Sequence, residues 1–367
     1  MPETQHLKKA GVRLTLGLMS GTSLDGIDAA LLWTDGVRVE KAGPAATFSY
    51  DPALRDALRG VLGGQGPVAQ VERALTEAHA AAVSQFLSDA GLTADEVDVV
   101  GFHGHTILHR PNEGKTWQIG DGALLASLTG IDVICDLRSN DVANGGQGAP
   151  IVPLYHQALA RDLAKPLCVL NIGGVANLTW IGAGEDDLIS FDTGPGNGLL
   201  DEWTEQKTGK IFDDGGVLAS AGAVDQSVLQ TLLANPYFAA VAPKSLDRID
   251  FDLTAVAGLS SADGAATLTS FTCEAVALAE RCLPSPPQRW LVTGGGRHNP
   301  VMMRGLNDVL SGAVEPVEAV GWNGDALEAQ AFAYLAVRSL DGLPLTVPST
   351  TGVSKPVTGG RYCRVAA

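Results

Sequence analysis

One turn, Gly17-Leu-Met-Ser-Gly-Thr-Ser-Leu-Asp-Gly-Ile-Asp28, joins two apolar segments that we expect to be strands, Arg13–Met19 and Ile27–Trp33. Its glycines let the main chain approach a ligand closely, and the exposed amides of such a turn can bind an anion. Its hydroxyls can donate further hydrogen bonds, and its carboxylates suit a hydrated magnesium ion. A hairpin turn rich in Gly and Asp accounts for the same residues. This stretch alone therefore leaves a hairpin turn and a phosphate loop open.

Composition limits the class of protein. The chain has 367 residues, which is enough for two domains of ordinary size, and 45% of them are apolar, which allows a substantial core. The formal net charge of −16 argues against a nucleic-acid partner or an anionic membrane surface. Local binding of a nucleotide by a few amides and a metal remains compatible with that charge.

Cysteine usage and the amino terminus bear on the cellular compartment. The five cysteines are odd in number and no pair has metal-ligand spacing, which favours reduced thiols in a cytoplasmic protein. The polar start and the interrupted apolar run after it predict neither a signal peptide nor a membrane span.

The order of predicted elements repeats. Each half reads as three antiparallel strands, a helix, a strand, a helix and a strand. The second half begins with strand Leu167–Ile172, which runs into the turn Gly173-Gly174-Val175-Ala176-Asn177. We therefore expect an α/β fold with duplicated domains facing a central cleft, each contributing one phosphate-binding hairpin. The expected domains are residues 1–140, with 341–367 as a candidate completion of the first, and residues 141–340.

This order excludes two other phosphate-binding designs. A P-loop needs Gly-x4-Gly-Lys-Ser/Thr opening a helix, and no such motif occurs, while a dinucleotide-binding turn also requires a helix at that point. The glycines of Gly17–Asp28 are instead followed by a predicted strand. Gly294-Gly295-Gly296 does lie between a strand and a helix, but it comes late in the chain and lacks the full dinucleotide spacing.

These patterns resemble the actin/hexokinase/Hsp70 superfamily with its RNase H-like domains, and most closely the anhydro-N-acetylmuramic acid kinase family. The resemblance covers nearly the whole chain in one order. The motifs that carry it are Gly17–Asp28, Phe102-His103-Gly104-His105-Thr106, Gln118-Ile119-Gly120-Asp121-Gly122, Asp136-Leu137-Arg138, Asn171–Thr179, Phe191–Asn197 and Thr293–Asn299.

The resemblance implies a reaction, two cofactors and a partner. ATP would phosphorylate O6 of 1,6-anhydro-N-acetylmuramic acid while water opens the anhydro bridge at C1, giving N-acetylmuramic acid 6-phosphate and ADP in cell-wall recycling. Mg²⁺ would accompany ATP, and the family suggests a homodimer in the cytoplasm. Neither composition nor spacing identifies this sugar.

The resemblance also assigns residues. Asp192, after an apolar strand, would be the general base that activates the attacking water, although the residues around it, taken alone, favour a turn-initiating aspartate. Asp25 would lie near the magnesium ion through water. The residues that would hold ATP and its phosphates are Gly21, Thr22, Ser23, Leu24, Asp25, Gly26, Ile27, Asp28, Gly173, Gly174, Asn177, Gly294, Gly295 and Gly296. A purely structural role for the last three glycines stays open.

Three further residues are candidates for contact with the sugar. Arg138 could pair with the lactyl carboxylate, or it could form an ordinary salt bridge to Asp136 or Asp141. Glu328 could accept a substrate hydroxyl, although Asp325-Ala-Leu-Glu328 is also typical of a capping box. His105 could contact the sugar or form a structural hydrogen bond, and both readings are favoured over a zinc site.

Other functions fit parts of the pattern. Another sugar kinase or a phosphohydrolase of the same superfamily is the nearest alternative, although an anionic substrate would favour a basic cleft. An ATP-driven binding protein of the Hsp70 or actin type would need a peptide-binding module or filament surfaces, and we expect neither in this chain.

Overall fold

The computed structural model describes residues 11–21, 24, 26–246 and 250–366. The chain forms two compact units, unit 1 with Met1–Arg161 and Ala326–Ala367, and unit 2 with Asp162–Asp325. Unit 1 is larger than the expected first domain because residues 141–161 and 326–340 group with it. The first of these segments contains a helix whose Tyr155 hydroxyl donates to Gln330 at 2.7 Å, and Gln330 belongs to the second segment.

Unit 1 is built on a sheet in the order β12-β6-β4-β1-β2-β3, with β5 paired to β4. Strands β1, β2 and β3 are antiparallel, and β4 runs parallel to β1 and to β6. The strands are β1 Arg13–Ser20, β2 Gly26–Thr34, β3 Val39–Ser49, β4 Val99–Arg110, β5 Lys115–Ile119, β6 Val133–Cys135 and β12 Arg361–Cys363.

The helices of unit 1 cover this sheet. They are α1 Pro52–Gly60, α2 Val68–Ala90, α3 Gly122–Thr129, α4 Ser139–Ala143, α5 Pro153–Leu159, α11 Leu327–Leu340 and α12 Pro348–Thr351. Two glycines in the sheet bring α11 into backbone contact with it. A Cβ at Gly17 would lie 1.7 Å from the Ala329 carbonyl oxygen, and one at Gly101 would lie 2.0 Å from that of Phe332. The amino-terminal turn of α11 is therefore fixed closely over β1.

Unit 2 has a five-stranded sheet in the order β11-β10-β7-β8-β9. Strands β7, β8 and β9 are antiparallel, and β10 is parallel to β7 and β11. Its elements are β7 Leu167–Ile172, β8 Val175–Ile181, β9 Leu188–Pro195, α6 Gly198–Thr208, α7 Val217–Ser220, α8 Gln226–Leu233, α9 Ser261–Glu280, β10 Arg289–Thr293, α10 Pro300–Val309 and β11 Ala313–Pro316.

The two sheets share one plan. In chain order, β1, β2, β3, β4 and β6 occupy the same places in unit 1 as β7, β8, β9, β10 and β11 occupy in unit 2. Each unit has its own apolar core, with large side chains such as Phe102 in the first and Trp203 in the second. The predicted α/β class with a duplicated RNase H-like domain is confirmed.

Several predicted boundaries were wrong. Strand β9 continues through Asp192 to Pro195, whereas the sequence pattern predicts that Asp192 follows the strand. The residues Val314–Val320 match Ile131–Cys135 of the first half and predict a strand, but β11 ends at Pro316 and a 3-10 turn follows. The hairpin partner β5 was not predicted. Among the described residues, no helix has both the length and the apolar character needed to cross a membrane.

Candidate active site

A row of polar residues crosses the sheet of unit 2. Thr293 pairs with Asn171, Asn171 with Asn177, and Asn177 with Asp192. Directly paired residues on neighbouring strands project to the same face of a sheet. Asp192 therefore stands beside Asn177, one of the predicted ATP-binding residues, although 15 positions separate them in the sequence. Asn171, which the predictions did not assign to the site, completes the link to β10.

Backbone groups of a neighbouring segment hold Asp192 in place. The Leu246 amide donates to Asp192 Oδ2 at 2.8 Å, and the Asp192 amide donates to the Lys244 carbonyl at 3.0 Å. The hydroxyl of Tyr237 donates to the Asp192 carbonyl at 2.6 Å. Asp192 is only 6% exposed. Its carboxylate therefore has a fixed orientation, which a general base requires.

The environment of Tyr237 keeps it a hydrogen-bond donor. Burial, and then the negative charge of Asp192, raise the pKa of the Tyr237 phenol far above its usual value. The Lys244 ammonium lies 4.4 Å from the centre of the Tyr237 ring and donates to the Tyr237 carbonyl at 2.9 Å. Burial lowers the pKa of Lys244. These contacts hold Lys244, whose carbonyl binds the Asp192 amide, against Tyr237.

The turn Gly173–Asn177, which we call the second glycine turn, is held by hydrogen bonds of its carbonyl groups. The Gly173 carbonyl accepts from the Asn197 amide at 2.7 Å, and the Gly174 carbonyl accepts from the amides of Gly196 and Gly198 at 3.0 and 3.1 Å. A Cβ placed on Gly174 would meet no atom within 4 Å. The turn thus uses its carbonyls internally, and one of its glycines borders open space.

A cavity of about 310 Å³ adjoins this turn within unit 2. Gly174 and Leu246 both line it, so the cavity borders both the glycine turn and the residue whose amide binds Asp192. The side chains around them are apolar at Leu199 and Phe251 and acidic at Glu202 and Asp252. A ligand in this cavity would contact the supports of Asp192.

The glycines Gly294, Gly295 and Gly296 differ in how much space surrounds them. A Cβ at Gly294 would lie 2.4 Å from Asn171 Oδ1, and one at Gly296 would lie 2.5 Å from the Ile172 side chain. Gly294 also has a φ of 74°. The fold therefore requires glycine at these two positions. At Gly295 the nearest atom would be Asn197 Nδ2 at 3.6 Å, an ordinary contact, so only Gly295 leaves room that packing does not use.

The turn Gly21–Asp28, which we call the first glycine turn, is described only in part, because Thr22, Ser23 and Asp25 lie outside the described residues. The Leu24 amide donates to the Gly21 carbonyl at 3.1 Å, and Leu24 has a φ of 58°. The side chains of Leu24 and Ile27 are buried in the apolar core, so these two residues can offer a ligand only their main-chain groups. At Gly26 a Cβ would lie 2.4 Å from the Phe48 carbonyl oxygen, so close packing against β3 requires glycine.

The first glycine turn ends at Asp28, whose carboxylate the structure describes. Its Oδ1 accepts from Thr47 Oγ1 at 2.6 Å across the β2–β3 ladder. The described residues contain no group of three or more His, Cys, Asp or Glu side chains that could hold a metal ion. Magnesium needs only one or two carboxylates when substrate phosphates and water complete its shell, so the donor chemistry of this turn fits an ATP-bound ion.

Unit 1 has a polar cavity of about 200 Å³. Its lining includes His103, Gln118, Asp136 and Arg361. Next to it, Arg138 Nε donates to His103 Nε2 at 3.1 Å, and Arg138 Nη1 donates to the Gly148 carbonyl at 2.8 Å. His103 Nδ1 contacts the Gly104 carbonyl at 2.9 Å, so the ring carries its proton on Nδ1. Burial, and then the Arg138 charge, lower the pKa of His103, which keeps it neutral.

The remaining predicted sugar contacts lie elsewhere in unit 1. His105 is fully buried, and its Nδ1 lies 2.9 Å from Ser20 Oγ, which is the structural alternative raised for it. His103, not His105, lines the cavity. Glu328 lies in the first turn of α11, which has no side-chain cap. The capping box, the alternative raised for Glu328, does not form: the N-cap is Ala326, and the Asp325 carboxylate pairs with Arg297 at 2.8 Å.

The comparisons with known proteins identify the family. The family model for anhydro-N-acetylmuramic acid kinase matches residues 13–364. Relatives with that name include one from Paramagnetospirillum magneticum, 60% identical over 95% of this chain and 99% of the relative, and one from Rhizorhabdus wittichii, 55% identical over 95% and 98%. A third, from Rhodospirillum rubrum, is 55% identical over 96% of this chain and 94% of the relative. The chain belongs to the anhydro-N-acetylmuramic acid kinase family.

Proposed function

We propose that this protein converts 1,6-anhydro-N-acetylmuramic acid, ATP and water into N-acetylmuramic acid 6-phosphate and ADP. Membership of the family carries this proposal, since relatives of that name match nearly the whole chain. In this reaction water adds to C1, the C1–O6 bond breaks, and O6 takes the γ-phosphoryl group of ATP. O6 is captured by phosphorus as it leaves carbon, so no separate acid has to protonate it.

We assign the proton transfer to Asp192. A water attacking C1 must lose a proton, and a carboxylate held in one orientation is suited to accept it. The Leu246 amide at 2.8 Å from Oδ2 supports this role, because it fixes the carboxylate without donating a charged hydrogen bond. The Tyr237 and Lys244 contacts then act as positioning contacts for the same residue.

ATP would be held by main-chain groups of both glycine turns. In unit 2 we assign this role to Gly173, Gly174 and Asn177, with Gly295 bordering the nucleoside, because Gly174 and Gly295 have space that packing leaves open. In unit 1 the turn from Gly21 to Asp28 would contribute amides, and Thr22 and Ser23 would contribute hydroxyls. Mg²⁺, bound to the ATP phosphates and approached by Asp25 through water, would neutralise charge on the transferred group.

The sugar would use polar groups of unit 1. The position of Arg138 supports this, because Arg138 contacts His103, which lines the polar cavity, and an arginine fork pairs well with a carboxylate. Arg138 would bind the lactyl carboxylate, and Glu328 would accept a hydroxyl. We assign no sugar contact to His105, whose side chain is fully buried.

We further propose a cytoplasmic homodimer. All five cysteines are free thiols, and three of them, Cys135, Cys168 and Cys273, are buried. That state is typical of a reducing compartment. Exposed apolar side chains at Ile211, Phe212 and Val217 offer a surface that a second copy could cover. Sedimentation velocity at two protein concentrations would test the dimer.

The reaction is tested by supplying its components one at a time. ADP release should require the anhydro sugar, ATP and Mg²⁺ together, and mass spectrometry should find N-acetylmuramic acid 6-phosphate as the product. The matched control is N-acetylmuramic acid, whose ring is already open, and which should not replace the anhydro sugar. ADP release without any sugar would indicate a phosphohydrolase, and turnover of the open sugar would indicate an ordinary sugar kinase.

A further inference from the structure

A buried hydrogen-bonded chain joins three strands of unit 1 at the first glycine turn. Ser20 Oγ lies 2.9 Å from His105 Nδ1 and is also hydrogen-bonded to the hydroxyl of Tyr50. Ser20 ends β1, His105 lies within β4, and Tyr50 directly follows β3. All three residues are buried, at 1%, 0% and 4% exposure. We call this chain the Ser20 clamp.

The clamp holds both ends of the turn. The turn leaves β1 at Ser20 and enters β2 at Gly26. Gly26 pairs with Ser49, the residue before Tyr50, and a Cβ on Gly26 would lie 3.2 Å from Ser49 Cα. Tyr50 thus belongs to the segment that contacts one end of the turn, while its hydroxyl reaches the other end. Ser49 and Tyr50, at the end of β3, thus contact both the position where the turn begins and the position where it ends.

The serine hydroxyl has two hydrogen-bond partners inside the protein, His105 on one side and the Tyr50 hydroxyl on the other. When its proton goes to either of them, it has none to offer a phosphate oxygen. Although Ser20 lies in a stretch of hydroxyl residues typical of phosphate contact, its side chain serves the fold.

His105 has no second role that the described residues reveal. Its Nε2 is buried and has no hydrogen-bond partner among them. Burial lowers the pKa of His105 to about 4, so the ring is neutral at the pH of the cytoplasm. Retaining an unpaired ring nitrogen in the interior costs free energy, and the hydrogen bond of the other nitrogen helps to offset it. The other nitrogen binds Ser20.

We infer that His105 is a positioning residue for the nucleotide, acting through Ser20 and Tyr50 on the first glycine turn, and not a contact for the sugar. This inference rests on the proposed function, because it takes that turn to bind the ATP phosphates. A turn anchored at both ends loses less conformational freedom when its amides bind phosphate, so the clamp raises affinity for the nucleotide.

The experiment compares nucleotide and sugar binding in clamp variants. Calorimetry with Mg·ADP, without sugar, should give a dissociation constant about five- to tenfold higher in His105→Leu and Ser20→Ala, the effect of losing one buried hydrogen bond. Steady-state assays should show a similar rise in KM for ATP and a KM for the sugar within twofold of the wild type. His105→Asn, whose amide can replace Nδ1, should recover most of the affinity. The double variant should be no weaker than the worse single one, because both remove the same clamp.

The matched control is His79→Leu. His79 is buried in unit 1 like His105, but its Nδ1 contacts the Leu75 carbonyl of its own helix and no strand end. It should lose stability without a change in nucleotide affinity. A rise in sugar KM with unchanged ADP affinity in His105→Leu would overturn the inference, as would an equal loss of ADP affinity in His79→Leu. Failure of the wild-type protein to bind Mg·ADP would instead reject the proposed function.

Discussion

Replacing Asp192 by asparagine tests the assignment of the general base. The asparagine oxygen can accept the Leu246 amide hydrogen bond that Asp192 Oδ2 accepts at 2.8 Å, so the side chain should keep its position. What disappears is the capacity to take a proton. General-base catalysis contributes about 10²- to 10⁴-fold, so kcat should fall by that factor, equivalent to about 3–5 kcal/mol in the barrier.

The assay combines ADP release with calorimetry and thermal unfolding. Asp192→Asn should bind Mg·ATP with an affinity within twofold of the wild type and should unfold at a similar temperature. The matched control is Asp213→Asn, a second buried aspartate of unit 2 whose two oxygens accept from the Leu218 and Ala219 amides at 2.7 and 2.9 Å. That variant should lose about 1–2 kcal/mol of stability and keep its kcat, because it breaks a structural bond only. A kcat for Asp192→Asn within tenfold of the wild type would refute the role of Asp192.

Three other predictions concern packing and pH. Gly295→Ala should fold normally but weaken ATP binding about tenfold or more, because the nucleoside is proposed to lie beside it, and titration with ATP would measure this loss. Gly296→Ala should lower the free energy of unfolding by about 1–3 kcal/mol in urea denaturation, because its Cβ would lie 2.5 Å from Ile172. Gly17→Ala should abolish folding or cost more than about 3 kcal/mol, while Gly60→Ala, with no atom within 4 Å, should be tolerated, as circular dichroism would show. Burial lowers the pKa of His79 to about 4, from about 6.5 when unfolded, so the unfolded state binds more protons between these values. Stability should therefore be complete above pH 6.5 and fall toward pH 4 by up to about 1.4 kcal/mol per pH unit from this histidine, a slope that urea denaturation should find smaller in His79→Gln.

Local signals in the sequence mark two of the helix starts. Asp51 before Pro52 and Asn299 before Pro300 are typical of a helix start, and both side chains accept from the first helical amides, Asp51 from Ala53 at 2.8 Å and Asn299 from Val301 at 3.0 Å. These interactions join residues two positions apart, so the local sequence is enough to predict them. The repeated order of strands was predictable for a similar reason, because buried strands are marked by their own apolar residues.

Tertiary pairing explains what the sequence did not predict. Asp192 and the residues after it resemble a turn in composition, but pairing with β8 keeps them extended as far as Pro195. Asp325 has the spacing of a helix cap, yet the side chain of Arg297, only 3% exposed, takes its carboxylate. The neutral His103 partner of Arg138 could not be foreseen either, since 35 positions separate them. In each case the deciding neighbour comes from another part of the chain.

The most direct test of the central claim is the fate of water oxygen during turnover. The wild-type protein is incubated with the anhydro sugar, ATP and Mg²⁺ in ¹⁸O-labelled water, and the products are examined by mass spectrometry and ¹³C NMR soon after mixing, before the anomeric oxygen exchanges with solvent. The proposed reaction places one labelled oxygen on C1 of N-acetylmuramic acid 6-phosphate and none in its phosphate group. Label in inorganic phosphate with C1 unlabelled would contradict the account.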